Sequence, residues 1–198
     1  MAIDDELFRA MFSAHPAAVC VVTAAGADGR PSGLTTSAVT SVSMEPPLLL
    51  VCVGTGSRTL AAIRHSGGFA VNFLAVHNER LSERFAGKST EKFAGLDWRP
   101  SGRAAEAPLL PAYHLSAAAE CLVHQEIPAG DHCVFLGRIE GAVVHGRAPM
   151  LYHERDYIHL PVPALSGTAT ADKPAVAVRG PQPCRTHRPS SHHIEGTP

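Results

Sequence analysis

Residues 33–53 read GLTTSAVTSVSMEPPLLLVCV, and the fold turns on that stretch. Its first half, Gly33 to Ser43, is small, hydroxyl-rich and partly β-branched. That composition predicts a strand with an unusually polar face. Met44-Glu45-Pro46-Pro47 turns the chain, and Leu48 to Val53 is a short apolar run of the kind buried on both faces. Upstream, Val19-Cys20-Val21-Val22-Thr23 has the same character, and Ala25-Gly26-Ala27-Asp28-Gly29 supplies a hairpin-type turn. Before it, Leu7, Ala10, Met11, Phe12 and Ala14 fit the apolar stripe of a short helix that His15-Pro16 stops.

Downstream, Ser57 is a natural N-cap for a helix carrying Leu60, Ile63 and Arg64, which Gly67-Gly68 ends. Phe69 to Leu74 reads as a strand, Asn78 to Ala86 as a helix, and Gly87 to Pro111 as irregular. Leu115 to Glu126 and Val134 to His145 are two longer strands, separated by Ile127-Pro128-Ala129-Gly130-Asp131. Met150-Leu151-Tyr152 and Tyr157-Ile158-His159 close the folded part. Strands dominate, helices are short, and strands do not alternate with long helices. The expected class is mostly β, a closed or nearly closed antiparallel barrel.

The 198 residues suffice for one domain, and 45% of them are hydrophobic, so the core needs neither metal nor disulfide. Residues 1–160 are expected to form that domain. Residues 161–198 are rich in Pro, Ser, Thr and Gly and lack aromatic residues. They are expected to be a disordered or surface-draped tail. A net charge of -1 with no basic stripe argues against a nucleic acid or membrane partner. MAIDDELFRAMF lacks the basic and apolar segments of a signal peptide, and no apolar run is long enough to span a bilayer. A soluble, cytoplasmic protein is expected. The five cysteines form no CxxC and read as reduced core thiols. Histidines number twelve, yet no HExxH or paired Cys/His spacing occurs, so no metal site is expected.

Three features bear on chemistry. Thr35, Thr36, Ser37, Thr40, Ser41 and Ser43 crowd one segment, and Thr35, Ser37, Ser41 and Ser43 would share a face of a regular strand. The plainer reading is an exposed edge strand; the functional one is a row of uncharged groups for a neutral polar ring or a phosphate. Gly54-Thr55-Gly56-Ser57-Arg58-Thr59 opens a helix, where free N–H groups favour an anion and Arg58 adds a charge-assisted bond. The plainer reading there is a Ser-capped helix. His132, in Gly130-Asp131-His132, is either a turn-bonded structural histidine or a polar contact beside a reacting ring, with Asp131 fixing its tautomer. GxSxG, GxGxxG and P-loop patterns are absent.

GLTTSAVTSVSMEPPLLLVCV, SRTLAAIRHSGGFAVNFLA, ERLSERFAG, GDHCVFLGRI and PMLYHERDYIHL fall in an order that resembles the flavin reductase-like family. These are the reductase components of two-component flavin-dependent monooxygenases. The resemblance covers roughly residues 7–160. It implies a split β-barrel of Greek-key type acting as a homodimer, with flavin across the dimer interface region. It implies hydride transfer from NAD(P)H to FAD or FMN, and delivery of reduced flavin to a partner monooxygenase; NADH is favoured over NADPH because no Arg cluster is placed for a 2′-phosphate.

Carried over by residue, the resemblance lines the flavin ring with Thr35, Thr36, Ser37 and Ala38, with Ser41 and Ser43 further along. Cys52 and Val53 flank it, and Ser57, Arg58 and Thr59 hold phosphate. Asn72, Phe73, Leu74 and Ala75 match the F-x-V-N-x-L strand, and Phe85 the following F-A. His132 matches the histidine that contacts the nicotinamide, and Tyr157 a late tyrosine near that pocket. Many members carry Asn-Ser where this chain has Ser37-Ala38, which makes backbone contacts the safer expectation there. Two competing readings are a non-catalytic flavin- or haem-binding split barrel and a pyridoxamine-phosphate oxidase-like protein. The latter needs more cationic residues than this pocket sequence offers.

Overall fold

In the computed structural model, which describes residues 3–160, the polar half of the quoted stretch forms two strands rather than one. The chain runs α1 (Asp5–Ser13), β1 (Ala17–Ala18), β2 (Cys20–Ala25), β3 (Pro31–Thr36), β4 (Val39–Met44) and β5 (Pro47–Gly54). It continues with α2 (Arg58–Ser66), β6 (Gly68–Leu74), α3 (Glu79–Ala86), β7 (Arg99–Pro100) and β8 (Pro108–Leu109). After a 3-10 turn at Ala112–His114 come β9 (Leu115–Ala129), β10 (His132–Val144), β11 (Met150–His153) and β12 (Asp156–His159). The expected tail, residues 161–198, lies outside the described residues.

The main sheet has seven strands in the order β3-β2-β6-β9-β10-β5-β4. Its two edge strands, β3 and β4, are consecutive in the chain and joined only by Ser37 and Ala38. Three residue steps reach at most about 10 Å, so the two edges must come together and the sheet must curl into a barrel. No ladder joins β3 to β4, and that seam is the split. The expectation of one strand with four hydroxyls on one face is therefore corrected. The chain crosses from one edge of the sheet to the other at Ser37-Ala38, and a bulge between Ser41 and Ser43 breaks the alternation again.

The continuous apolar run around Val21 follows from the layering. Cys20, Val22 and Ala24 join a core with Val51, Val53, Phe69, Phe135 and, from α2, Leu60 and Ile63. Val19 and Val21 face the opposite way, into a second cluster with Leu81 and Phe85 of α3 and Phe93, Leu109 and Leu110. Burying each large apolar side chain contributes about 1.5–3 kcal/mol. The 87–111 segment is irregular as expected, but it is core, because Phe93, Ala104 and Ala107 are buried. It approaches so closely that a Cβ on Gly68 would stand 2.8 Å from the backbone of Ala104.

Ser57 caps α2 by accepting from the Thr59 N–H, and Gly67 ends it in the left-handed region at φ 72. The apolar stripe of α1 is a second departure. Leu7, Phe8, Met11 and Phe12 are 52–56% exposed, so the helix forms as expected but its face is not covered by the described residues. Cys20, Cys121 and Cys133 are buried free thiols and Cys52 a half-buried one. Burial pushes the thiols of Cys20 and Cys121 up to about 12. Cys184 lies outside the described residues. No helix among the described residues is long and apolar enough to cross a membrane.

Candidate functional site

Antiparallel pairing of β5 with β10 sets Gly54 opposite His132. The loop that opens α2 and the hairpin turn of β9 and β10 are thus neighbours. The Thr55 N–H and its hydroxyl both donate to the Asp131 carbonyl, at 2.9 and 3.1 Å. Gly130, at φ 62, makes the tight turn. His132 Nδ1 lies 2.7 Å from Asp131 Oδ1, and this bond holds the exposed Asp131 carboxyl below its ordinary range. The imidazole stays half exposed, and among the described residues its other nitrogen makes no hydrogen bond.

A cleft of about 720 Å³ is lined by Arg30, Ser32, Ser57, Arg58, Thr59 and Lys92, among others. The N-terminus of α2 opens into it, where the helix dipole favours an anion although Ser57 already takes the Thr59 N–H. Arg58 donates to the carbonyls of Lys88 and Ser89, at 3.0 and 2.5 Å, and so fixes the opposite wall. Lys92 donates to the carbonyls of Gly33 and Phe85, at 3.1 and 2.6 Å. Burial, and then the nearby Arg58, pull the Lys92 pKa down. The Ser32 and Thr59 hydroxyls are 3.1 Å apart. Among the described residues neither Arg58 nor Lys92 forms an ion pair with a carboxylate. The donor set suits a phosphate.

Ser37 and Ala38 open into a different space. A groove of about 980 Å³ runs between them and α1, lined also by Phe8, Phe12, Val39 and Tyr152. The Ala38 carbonyl accepts from the Cys52 N–H at 3.0 Å, so Cys52 does sit beside the crossover. Thr36 turns its hydroxyl inward to accept from the Ala38 N–H.

A model described as "Flavin reductase like domain" matches residues 12–161. The chain belongs to the flavin reductase-like family. Over 166 residues it is 42% identical to "Flavin reductase (NADH)" of Kitasatospora aureofaciens, covering 81% of this chain and 84% of that one. It is 38% identical to "Actinorhodin polyketide dimerase" of Streptomyces coelicolor, over 81% of this chain and 89% of the other. Among solved structures it resembles the Streptomyces globisporus C-1027 NADH:FAD oxidoreductase SgcE6 in complex with NAD and FAD fragments. That match has a TM-score of 0.74 at 32% identity and covers 83% of this chain and 99% of the other. These likenesses establish the split-barrel fold of the family for this chain.

Several residues that the family resemblance assigned to the flavin have side chains buried or bonded within the fold. Val53, Leu74 and Phe85 are 0% exposed in the core, and Ala75 is buried beside them, so their side chains face no cleft. Asn72, also 0% exposed, spends its amide on the Val21 carbonyl, the Thr23 hydroxyl and the Leu110 N–H. Its side chain is a clamp within the fold. Phe73 is half-buried against the first core. Thr35 donates to the Ser82 carbonyl at 2.6 Å, and Tyr157 to the Ser82 hydroxyl at 2.9 Å, so α3 joins the two. Ser43 accepts from the Glu45 N–H, and Ser41 is exposed on the β4 edge. Sequence reading missed Ser32, Ser89 and Lys92. Nothing local marks them, since each reaches the cleft through a contact with a distant element.

Proposed function

We propose that the chain is an NAD(P)H-dependent flavin reductase that reduces FAD or FMN and supplies the product to a partner monooxygenase. The observation that carries the reading is the convergence, within this family's barrel, of Arg58, Lys92 and the α2 N-terminus on one cleft, with His132 paired to Gly54 at the start of the loop that opens α2. Ser57, Thr59 and Arg58 would hold the flavin phosphate, with Lys92 supplying a second positive charge. When bound, the flavin supplies the hydride-accepting chemistry. The chain's own residues bind and orient. Asp131 fixes the His132 ring, and His132 orients the nicotinamide at the rim of the barrel. Orientation is a large part of such catalysis, since misplacement by about 1 Å can cost on the order of a hundredfold. No side chain need move a proton for hydride delivery.

The reading includes a homodimer in the cytoplasm. The exposed Leu7, Phe8, Met11 and Phe12 of α1 support it, because they form one apolar face and Phe8 and Phe12 line the groove at Ser37-Ala38. A second copy that covers α1 would remodel the groove beside the crossover, where flavin across the interface is expected. NADH is favoured over NADPH in line with the 42% identical relative's name.

The experiment compares FMN with riboflavin, which lacks the phosphate. Arg58→Ala removes a charged donor worth about 1.5–3 kcal/mol. FMN affinity should fall by roughly 10–150-fold, while riboflavin affinity stays within a few-fold. Equal losses for both ligands would show that Arg58 acts only by holding the 88–89 loop. Absence of NADH oxidation above background with both FAD and FMN would overturn the reductase reading itself.

A further inference from the structure

His77, Glu79 and His159 lie outside both clefts, and each offers one ligand atom within 4.8 Å of the other two. We propose that they form a zinc-class metal site that clips the last strand of the barrel to α3. His77 stands in the turn after β6, Glu79 opens α3, and His159 ends β12. The sequence gives no hint of such a site, because its histidines are more than eighty positions apart.

The scaffold holding them is rigid on both sides. The Val76 N–H donates to the Ala148 carbonyl at 3.0 Å, and Ala75 forms a bridge with Pro149. Met150, next along, pairs with His159 in the β11–β12 ladder. One short segment therefore positions both histidines. Asn78 pins the turn further, donating to the carbonyls of Ala75 and Val76 and meeting His114 Nδ1 through its oxygen. His77 itself sits at φ 65, in the left-handed region that few non-glycine residues occupy. That conformation brings its ring to 4.9 Å from the His159 ring, centroid to centroid.

The spacing fits a small tetrahedral ion. Ligand atoms about 2.0–2.1 Å from zinc lie roughly 3.4 Å from one another. His159 Nε2 and Glu79 Oε1 are already 3.4 Å apart. All three ligand atoms lie within 4.8 Å of one another, so closing on an ion requires an atom to move by at most about 1.5 Å. Two imidazoles and one carboxylate select zinc-like ions over calcium or magnesium, which take oxygen ligands. Water completes the fourth position. The role is structural: α3 carries Ser82, which holds Thr35 and Tyr157, so the clip steadies that wall from outside.

The test uses the untagged full chain, stripped with chelator, titrated with Zn2+ by calorimetry and with Co2+ by visible absorbance. The tail contains His187, His192 and His193, so His192→Ala/His193→Ala is the control. Wild type and control should bind a single ion per chain with micromolar or tighter affinity, show a Co2+ spectrum of four-coordinate intensity, and melt higher with Zn2+. His77→Ala and His159→Ala should each lose more than the roughly 10–100-fold that removal of a mere supporting group costs. Their metal-free NADH oxidation with FMN should match wild type, which reports correct folding. His77→Gln replaces His77→Ala if the latter does not fold. Failure of wild type to bind Zn2+, undiminished binding in both histidine variants, or loss of binding in the tail control would each overturn the proposal.

Discussion

Asn72→Ala separates a clamp from a cofactor contact. The Asn72 amide donates from Nδ2 to the Val21 carbonyl at 3.1 Å and to Thr23 Oγ1 at 3.2 Å, and accepts at Oδ1 from the Leu110 N–H at 2.9 Å. Thr23 keeps its own bond to the Pro108 carbonyl at 2.5 Å, and Val21 remains in the β2 ladders. The group left stranded is the buried Leu110 N–H, at a cost of about 1–3 kcal/mol. The small cavity left by the lost amide brings the total to roughly 2–4 kcal/mol. For a chain of this size each kcal/mol shifts Tm by about 2–4 °C, so Tm should fall by roughly 4–16 °C. Melting is followed at fixed protein concentration, because dimerisation would make Tm concentration-dependent. Flavin affinity, measured by fluorescence quenching on the folded variant, should stay within a few-fold. Unchanged Tm together with a tenfold or greater loss of flavin affinity would refute the clamp and return Asn72 to the flavin site.

Gly68→Ala should cost on the order of 1–3 kcal/mol or more, read as a lower urea midpoint, because its Cβ would meet unyielding Ala104 backbone at 2.8 Å. His114 is pulled below the ordinary histidine value by burial, so it stays neutral in the fold while the unfolded chain takes up a proton. Its contribution is present above pH 6.5 and is lost as pH falls through the folded value; the urea midpoint should drop between about pH 7 and pH 5, and drop less in His114→Gln. Phe8→Asp/Phe12→Asp should convert a dimer to a folded monomer by light scattering, since both rings are more than half exposed in the single chain; a persistent dimer would place the interface elsewhere.

Much of the fold was legible because local signals carry it. The run Val19 to Thr23 reads as doubly buried, Ser57 and Gly67 bound α2, and Gly130 turns the longest hairpin. Each of these depends on backbone preference or on apolar spacing within a few residues. The order of the quoted motifs also identified the family, and the matched segment, residues 12–161, covers most of the span they define. The 54–59 loop and the His132 turn were each visible alone.

Their adjacency was decided by tertiary structure, through strand pairing between Gly54 and His132. The same holds for the break at Ser37-Ala38. Nothing in GLTTSAVTSVS marks the place where one sheet edge ends and the opposite edge begins, because that crossing is set by how far seven strands curl. Asn72 and Lys92 show the limit from the other side. A polar residue in a strand and a lysine in an irregular segment look alike as candidates, and only burial with named partners makes one a core clamp and the other a wall of the cleft. Sequence determines the elements because their energies are local. Closure of the barrel, the commitments of its buried polar groups and the meeting of His77 with His159 rest on contacts between distant residues, which exist only once the chain has folded.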